Sequence, residues 1–167
     1  MTRPTAILIG PPGSGKTTIG TALAERLGLA FRDTDTDVEA TAGKPVSEIF
    51  IDDGEPRFRE LEAAAVRRAL AEHEGVLALG GGAVLAADTQ EWLAGHTVVY
   101  LRVGLSDAVK RVGLGAARPL LVLNPRSRLR ELMAERAPIY ERLATITVAT
   151  DDRDPDAIVE EIVKALP

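Results

Sequence analysis

The sequence predicts an α/β fold of three layers, a parallel sheet with helices on both faces. Short runs of β-branched and aliphatic residues recur along the chain, read as strands buried on both faces. Segments with helical spacing separate these runs from end to end, as in a doubly covered parallel sheet. The runs at Ile9 and Leu79 stop on glycine, where a chain turns sharply at a sheet edge.

Thr5 to Ile9 is the first buried strand, and it meets Gly10-Pro-Pro-Gly-Ser-Gly. Lys16 to Leu27 then has helical spacing through Ile19, Leu23 and Leu27, with Gly28 where a helix end takes a left-handed residue. Leu29 to Arg32 is expected as a short second strand followed by an acidic loop. Pro56 suits the first turn of a helix running to about His73 and stopped by Gly75. Val76 to Leu79 reads as a buried strand ending in Gly80-Gly81-Gly82. Thr97 to Leu101 is another, with Ser106 expected to cap the helix after it. Gly113 to Pro125 has Gly, Pro and Asn without a clean period, and a mobile loop is expected there. Ser127 to Leu143 is helical, Ile146 to Ala149 a last strand and Pro155 to Leu166 a last helix. Right-handed crossovers place every strand's C-terminal end on one edge, where open α/β sheets bind ligands.

The 167 residues fit one domain, and 46% hydrophobic content is enough for a core without staples. There is no cysteine, which removes disulfides, thiolate metal sites and thiol nucleophiles. A net charge of −5 disfavours a nucleic-acid partner. No apolar stretch approaches the roughly eighteen residues of a membrane span, and a cytoplasmic monomer is expected. Arginine greatly outnumbers lysine, so each arginine needs a positional reason before it counts as functional.

Gly10-Pro-Pro-Gly-Ser-Gly-Lys-Thr matches G-x-x-x-x-G-K-[ST] completely, between an expected strand and an expected helix. Small residues let consecutive backbone N–H groups surround phosphate oxygens, assisted by the positive end of the following helix. Gly13, Ser14, Gly15, Lys16, Thr17 and Thr18 are therefore candidate nucleotide contacts. Lys16 brings a charge to the β- and γ-phosphates, and the Thr17 hydroxyl suits Mg²⁺. A chance match is on the order of one per cent in such a chain, given glycine near 7% of residues.

The type of P-loop protein follows from what surrounds this loop. No Asn/Thr-Lys-x-Asp segment reads guanine and no D-x-x-G switch is present, which argues against a GTPase. Motor ATPases end a later strand in an acid; here Gly80-Gly81-Gly82 stands instead, suited to close approach of backbone to a ligand. The acids lie in Asp33-Thr-Asp-Thr-Asp37. Asp33 and Asp35, two apart, would share a face in extended chain, whereas Asp37 is read as part of a solvated turn. Phosphoryl transfer needs one group for the metal shell and another for the acceptor hydroxyl, and these two carboxylates suit both tasks.

The ordered set Gly10-Pro-Pro-Gly-Ser-Gly-Lys-Thr-Thr, Asp33-Thr-Asp35, Phe58-Arg59-x-x-Glu62, Gly80-Gly81-Gly82, Arg118-Pro-Leu and Arg136-x-x-x-Tyr140 closely resembles the shikimate kinases over essentially the whole chain. The resemblance implies one P-loop kinase domain over residues 1–167, with a five-stranded sheet of order 2-3-1-4-5 and a lid near 113–125. It implies ATP, Mg²⁺ and shikimate as the small-molecule ligands. Thr17 resembles the Mg²⁺ ligand, Asp33 its second-shell partner, and Asp35 the acid at the acceptor hydroxyls. Arg59 and Arg136 resemble the carboxylate clamp, Glu62 orients Arg59, and Gly80, Gly81 and Gly82 approach the substrate. Arg118 resembles the lid arginine that reaches the phosphates beside Lys16. Arg111, Arg153 and Pro155 would lie around the adenine. The rival readings are a gluconate-type or nucleoside monophosphate kinase and a P-loop regulator that binds ATP without turnover. His73, His96 and Trp92 are read as structural.

Overall fold

The computed structural model describes residues 3–112 and 125–167, Pro125 by its backbone alone. Five parallel strands, β1 (Ala6–Ile9), β2 (Phe31–Asp33), β3 (Val76–Ala78), β4 (Val98–Arg102) and β5 (Ile146–Ala149), form one sheet of order β2-β3-β1-β4-β5. The helices are α1 (Lys16–Leu27), α2 (Thr34–Ala42), α3 (Val46–Asp53), α4 (Glu55–Glu72), α5 (Ala87–Leu93), α6 (Leu105–Val112), α7 (Pro125–Leu143) and α8 (Pro155–Ala165). Among the described residues no helix is long and apolar enough to cross a membrane.

The continuous apolar strands conceal a two-residue alternation between faces. Ala6, Leu8, Val76, Ala78, Val99 and Leu101 join Leu23 of α1 and Ile158 and Ile162 of α8 in one core layer. Ile7, Ile9, Leu77, Leu79, Val98 and Tyr100 join Val66, Leu93 and Tyr140 of α4, α5 and α7 in the other. A smaller cluster of Val38, Ile49, Phe58 and Ala65 binds α2 and α3 to α4. Parallel register aligns Leu8 with Ala78 and Ala78 with Asp33, so β1, β3 and β2 end side by side. Their following residues therefore open onto one edge.

Most expected elements stand within a residue or two of their positions, and α1 begins and ends as expected, with Gly28 left-handed at φ 69°. Four expectations are corrected. The acidic segment after β2 is the first turn of α2 rather than a loop, because Asp33 caps it by accepting from the Asp35 N–H at 2.9 Å. Asp37 lies inside that helix and pairs with Arg32 at 2.7 Å instead of occupying a solvated turn. Ser106 is a residue of α6, not its cap, and Pro125 already belongs to α7. His73 ends α4 with its ring against the Val76 carbonyl at 3.0 Å, and Trp92 packs on the second core layer, both structural as expected. His96 lies after α5 with Nδ1 buried.

Gly20 shows packing overriding local propensity. Alanine in a helix interior normally gains about 0.5–1 kcal/mol over glycine. A Cβ on Gly20, however, would fall 2.3 Å from Cε1 of Phe31, the residue that begins β2. Gly20→Ala is therefore expected to destabilise the fold by about 1–3 kcal/mol, the usual range for overpacking, as measured by urea unfolding.

Candidate active site

The turn after β1 is held open by glycine, with Gly13 at φ 80° and Gly15 at φ 91° as the α1 N-cap. Ser14 is fully buried, and its N–H donates to the Pro11 carbonyl at 3.1 Å. Lys16 Nζ reaches the carbonyls of Gly10 at 2.7 Å and Pro11 at 3.1 Å, folding the charge across the loop's mouth. Pro12, Gly13, Gly15, Lys16, Thr17, Thr18, Asp33, Asp35, Leu79, Gly81 and Arg111 line a cavity of about 420 Å³. Cradle and carboxylates thus face one space.

Gly80, Gly81 and Gly82 follow β3, and none has the positive φ that would demand glycine for its backbone. Space is the reason instead. A Cβ on Gly80 would lie 2.6 Å from Asp35 Oδ1 and 2.9 Å from Glu62 Oε2. One on Gly81 would lie 3.4 Å from Arg136 Nη1, and one on Gly82 only 2.5 Å from both Arg59 Nη atoms. Gly80 and Gly82 make room for the ends of charged side chains, whereas at Gly81 the tightest neighbour would be Pro12 Cδ at 3.3 Å. Thr34, between the two acids, is fully buried and accepts from the Gly80 N–H at 3.2 Å, tying the start of α2 to this corner.

Arg59 and Glu62 lie one turn apart on α4 and pair at 2.8 Å, with Glu55 at 3.2 Å on the other side of the guanidinium. Arg136 on α7 is 4% exposed, and its Nε has no hydrogen-bond partner among the described residues. A cavity of about 330 Å³ beside Gly82 is lined by Arg59, Glu62, Leu85 and Thr89 among others. The glycine corner borders both cavities.

Burial pushes the Glu62 carboxyl above its ordinary value; Arg59 and Arg136 oppose that shift, and Asp35 adds to it. Burial opposes the Arg59 charge in turn, yet Glu62 and Glu55 hold its pKa above the ordinary one. Asp33 is also raised, by burial first and by Asp35 second, against the pull of Lys16 and the Thr17 hydroxyl. Thr17 Oγ1 stands 3.3 Å from Asp33 Oδ2. No group of three or more His, Cys, Asp or Glu side chains among the described residues could hold a metal unaided. A hydroxyl and a carboxylate beside a phosphate cradle fit Mg²⁺, which keeps waters and arrives with phosphates.

The sequence placed Asp33 and Asp35 on one face through extended chain. They share the cavity differently: Asp33 ends β2 as an extended cap, and Asp35 is the second residue of α2. Arg111 donates to the Gly13 and Ser14 carbonyls at 3.2 and 3.3 Å and to Thr150 O at 2.8 Å, bracing the cradle from α6. Arg153 donates to Ala149 O at 2.8 Å and pairs with Glu161 at 2.8 Å, and Pro155 is the first residue of α8. Neither of the latter two lines the cradle cavity. Arg118 and residues 113–124 of the expected lid lie outside the described residues. The sequence reading passed over Thr34, whose signal was a small hydroxyl between two acids. It also gave no role to Tyr140, whose signal was its position one helical turn beyond Arg136.

A parallel sheet of this order, a complete phosphate cradle and an adjoining acid pair define a P-loop kinase acting on a small molecule. The family model for shikimate kinase matches residues 12–167. A shikimate kinase of Salinispora arenicola is 63% identical over 163 residues, covering 98% of each chain. One from Thermobifida fusca is 59% identical, covering 99% of this chain and 96% of its own. The structure of a shikimate kinase from Acinetobacter baumannii in complex with shikimate superposes with TM-score 0.93 at 35% identity, covering 99% of this chain and 93% of that one. The chain belongs to the shikimate kinase family. A deoxyadenosine kinase from M. mycoides, at 18% identity and TM-score 0.61, shares the fold.

The raised Asp33 carboxyl has a consequence for stability. A carboxyl that binds its proton more tightly when folded favours the fold below its unfolded value of 3.8, and that benefit is lost as pH rises through the folded value. At neutral pH the ionised group therefore opposes folding of the free protein. Asp33→Asn keeps a good helix cap and removes that burden. It is expected to raise the melting temperature at pH 7, with a gain that shrinks on acidification, while Mg²⁺-dependent turnover falls about 100-fold or more.

Proposed function

We propose that this chain transfers the γ-phosphoryl group of ATP to the 3-hydroxyl of shikimate, giving ADP and shikimate 3-phosphate in aromatic amino-acid synthesis. The observation that carries the reading is the convergence of Asp35, Glu62, Arg136 and Arg59 on the three glycines beside the cradle. An acceptor with a carboxylate at one end and hydroxyls at the other matches two arginines near an acid. A planar guanidinium grips a carboxylate with two parallel hydrogen bonds, which fixes orientation as well as position.

This reading assigns the residues the following roles. Gly13, Ser14, Gly15 and Thr18 present backbone and side chain to the phosphates, and Lys16 swings its ammonium onto the β- and γ-oxygens. Mg²⁺, held through Thr17 and by water through Asp33, neutralises phosphate charge when bound. Asp35 orients the acceptor hydroxyl and receives its proton as the oxygen bonds to the γ-phosphorus and the bond to ADP breaks. Arg59 and Arg136 hold the carboxylate, with Glu62 fixing Arg59. Gly81 and its neighbours admit the ring close to backbone. Arg111, Arg153 and Pro155 are assigned to the nucleotide's base side, and Arg118 to the phosphates, by family resemblance. The reading makes 1–167 one catalytic domain, a cytoplasmic monomer carrying its whole site on one chain.

ADP release measured with shikimate, gluconate and AMP as separate acceptors is expected to be rapid with shikimate alone. Arg136→Lys keeps the charge but loses the planar fork. It should raise KM for shikimate roughly ten- to a hundredfold, the loss of one charge-assisted contact, and leave KM for ATP nearly unchanged. Rapid turnover of gluconate or AMP instead would overturn the acceptor assignment.

A further inference from the structure

Tyr140 lies one turn beyond Arg136 on α7 and is 1% exposed. Its hydroxyl donates to the Gly81 carbonyl at 2.6 Å. The Arg136 guanidinium stands beside the same hydroxyl. Its ring stacks on Tyr100 of β4, centroids 5.1 Å apart at 29°, so the hydroxyl is held from the sheet as well as from the helix. Pro138, inside α7 between Arg136 and Tyr140, has no N–H to give the preceding turn, so the helix backbone alone holds this pair less firmly.

We infer that Tyr140 is a positioning residue for the acceptor: its hydroxyl, hydrogen-bonded to the Gly81 carbonyl where Arg136 Nη1 also approaches, bridges the two and sets the distance between the Gly81 peptide and the guanidinium. The inference rests on the reading of Arg136 as part of the carboxylate clamp. Arg136 Nε has no hydrogen-bond partner among the described residues, so the groups beside the rest of the guanidinium, this hydroxyl and Glu62 among them, orient the buried cation. Burial pushes the Tyr140 pKa up to about 12, against the lowering effect of Arg136, so the hydroxyl keeps its proton for Gly81 throughout the working range. Glu62 and Arg59 face the same corner from α4, and Tyr100 faces the ring from β4. The bridge is therefore a fixed gauge and not a pH switch.

Tyr140→Phe keeps the ring and its stack and removes only the bridge. The experiment compares kcat and KM for shikimate, for an analogue with a neutral amide in place of the carboxylate, and for ATP, in wild type, Tyr140→Phe and Tyr100→Phe. Tyr140→Phe is expected to raise KM for shikimate roughly five- to twentyfold, with kcat within about threefold and KM for ATP unchanged. Its preference for the acid over the amide should shrink by a similar factor, while Tyr100→Phe stays at wild type. If wild type prefers the acid and Tyr140→Phe keeps the full preference, the bridge has no positioning role and the clamp reading survives. If Tyr140→Phe lowers the melting temperature and shifts kcat and both KM values together, Tyr140 is structural and the inference fails. If wild type itself uses acid and amide equally, the clamp reading fails and takes the bridge with it.

Discussion

Room at the end of β3 is the constraint on which the rest of this site depends. Three consecutive residues without Cβ atoms follow the strand, and four charged side chains from α2, α4 and α7 end in the space they leave. Parallel register sets β1 and β2 on either side of β3, which brings the phosphate cradle and Asp33 to the same edge. A side chain at Gly80 or Gly82 would displace an acid or an arginine. The sheet thus supplies a floor, and the helices supply the chemistry above it.

Such a concentration of charge is expensive for the free protein. Burying an ion costs several kcal/mol unless pairing and hydrogen bonds offset it. The raised Asp33 and Glu62 carboxyls, and an Arg136 Nε without a hydrogen-bond partner among the described residues, all reflect incomplete compensation. In the proposed reading, Mg²⁺, phosphates and the acceptor carboxylate complete the pairing, so binding energy goes partly into relieving what folding left unsettled. Sites that break the rules of a stable interior commonly do so for function.

Local signals were read well from the sequence and relational ones less so. The cradle, α1 and its Gly28 end are each encoded within a few residues. The strand order came from family resemblance, because no short segment carries it. Helices α2 and α3 escaped notice: α2 buries only Thr34 and Val38 and shows little apolar period, whereas α3 carries a short one, Val46, Ile49 and Phe50, within a single eight-residue helix. The α2 segment is polar and acidic and resembles a loop, and it is Phe58 and Ala65 of α4 that gather Val38 and Ile49 into one cluster. Asp33 and Asp35 both line the cradle cavity, but their shared direction comes from a capped helix start rather than from extended chain. The glycines were read as places for a ligand's close approach. Their other role, clearance for Asp35, Glu62 and Arg59 at Gly80 and Gly82, becomes visible only once α2 and α4 are in place.

Gly82→Ala tests that clearance most directly. Gly82 has φ −97° and ψ 0°, a conformation open to alanine, so the substitution adds a Cβ without backbone strain. The atoms it meets belong to the flexible end of Arg59, so the fold should hold within about 1 kcal/mol, as for displacements that leave the core packed. KM for shikimate should rise roughly ten- to a hundredfold as Arg59 is pushed from its place, with KM for ATP unchanged. A folded Gly82→Ala protein with wild-type KM for shikimate would contradict the account.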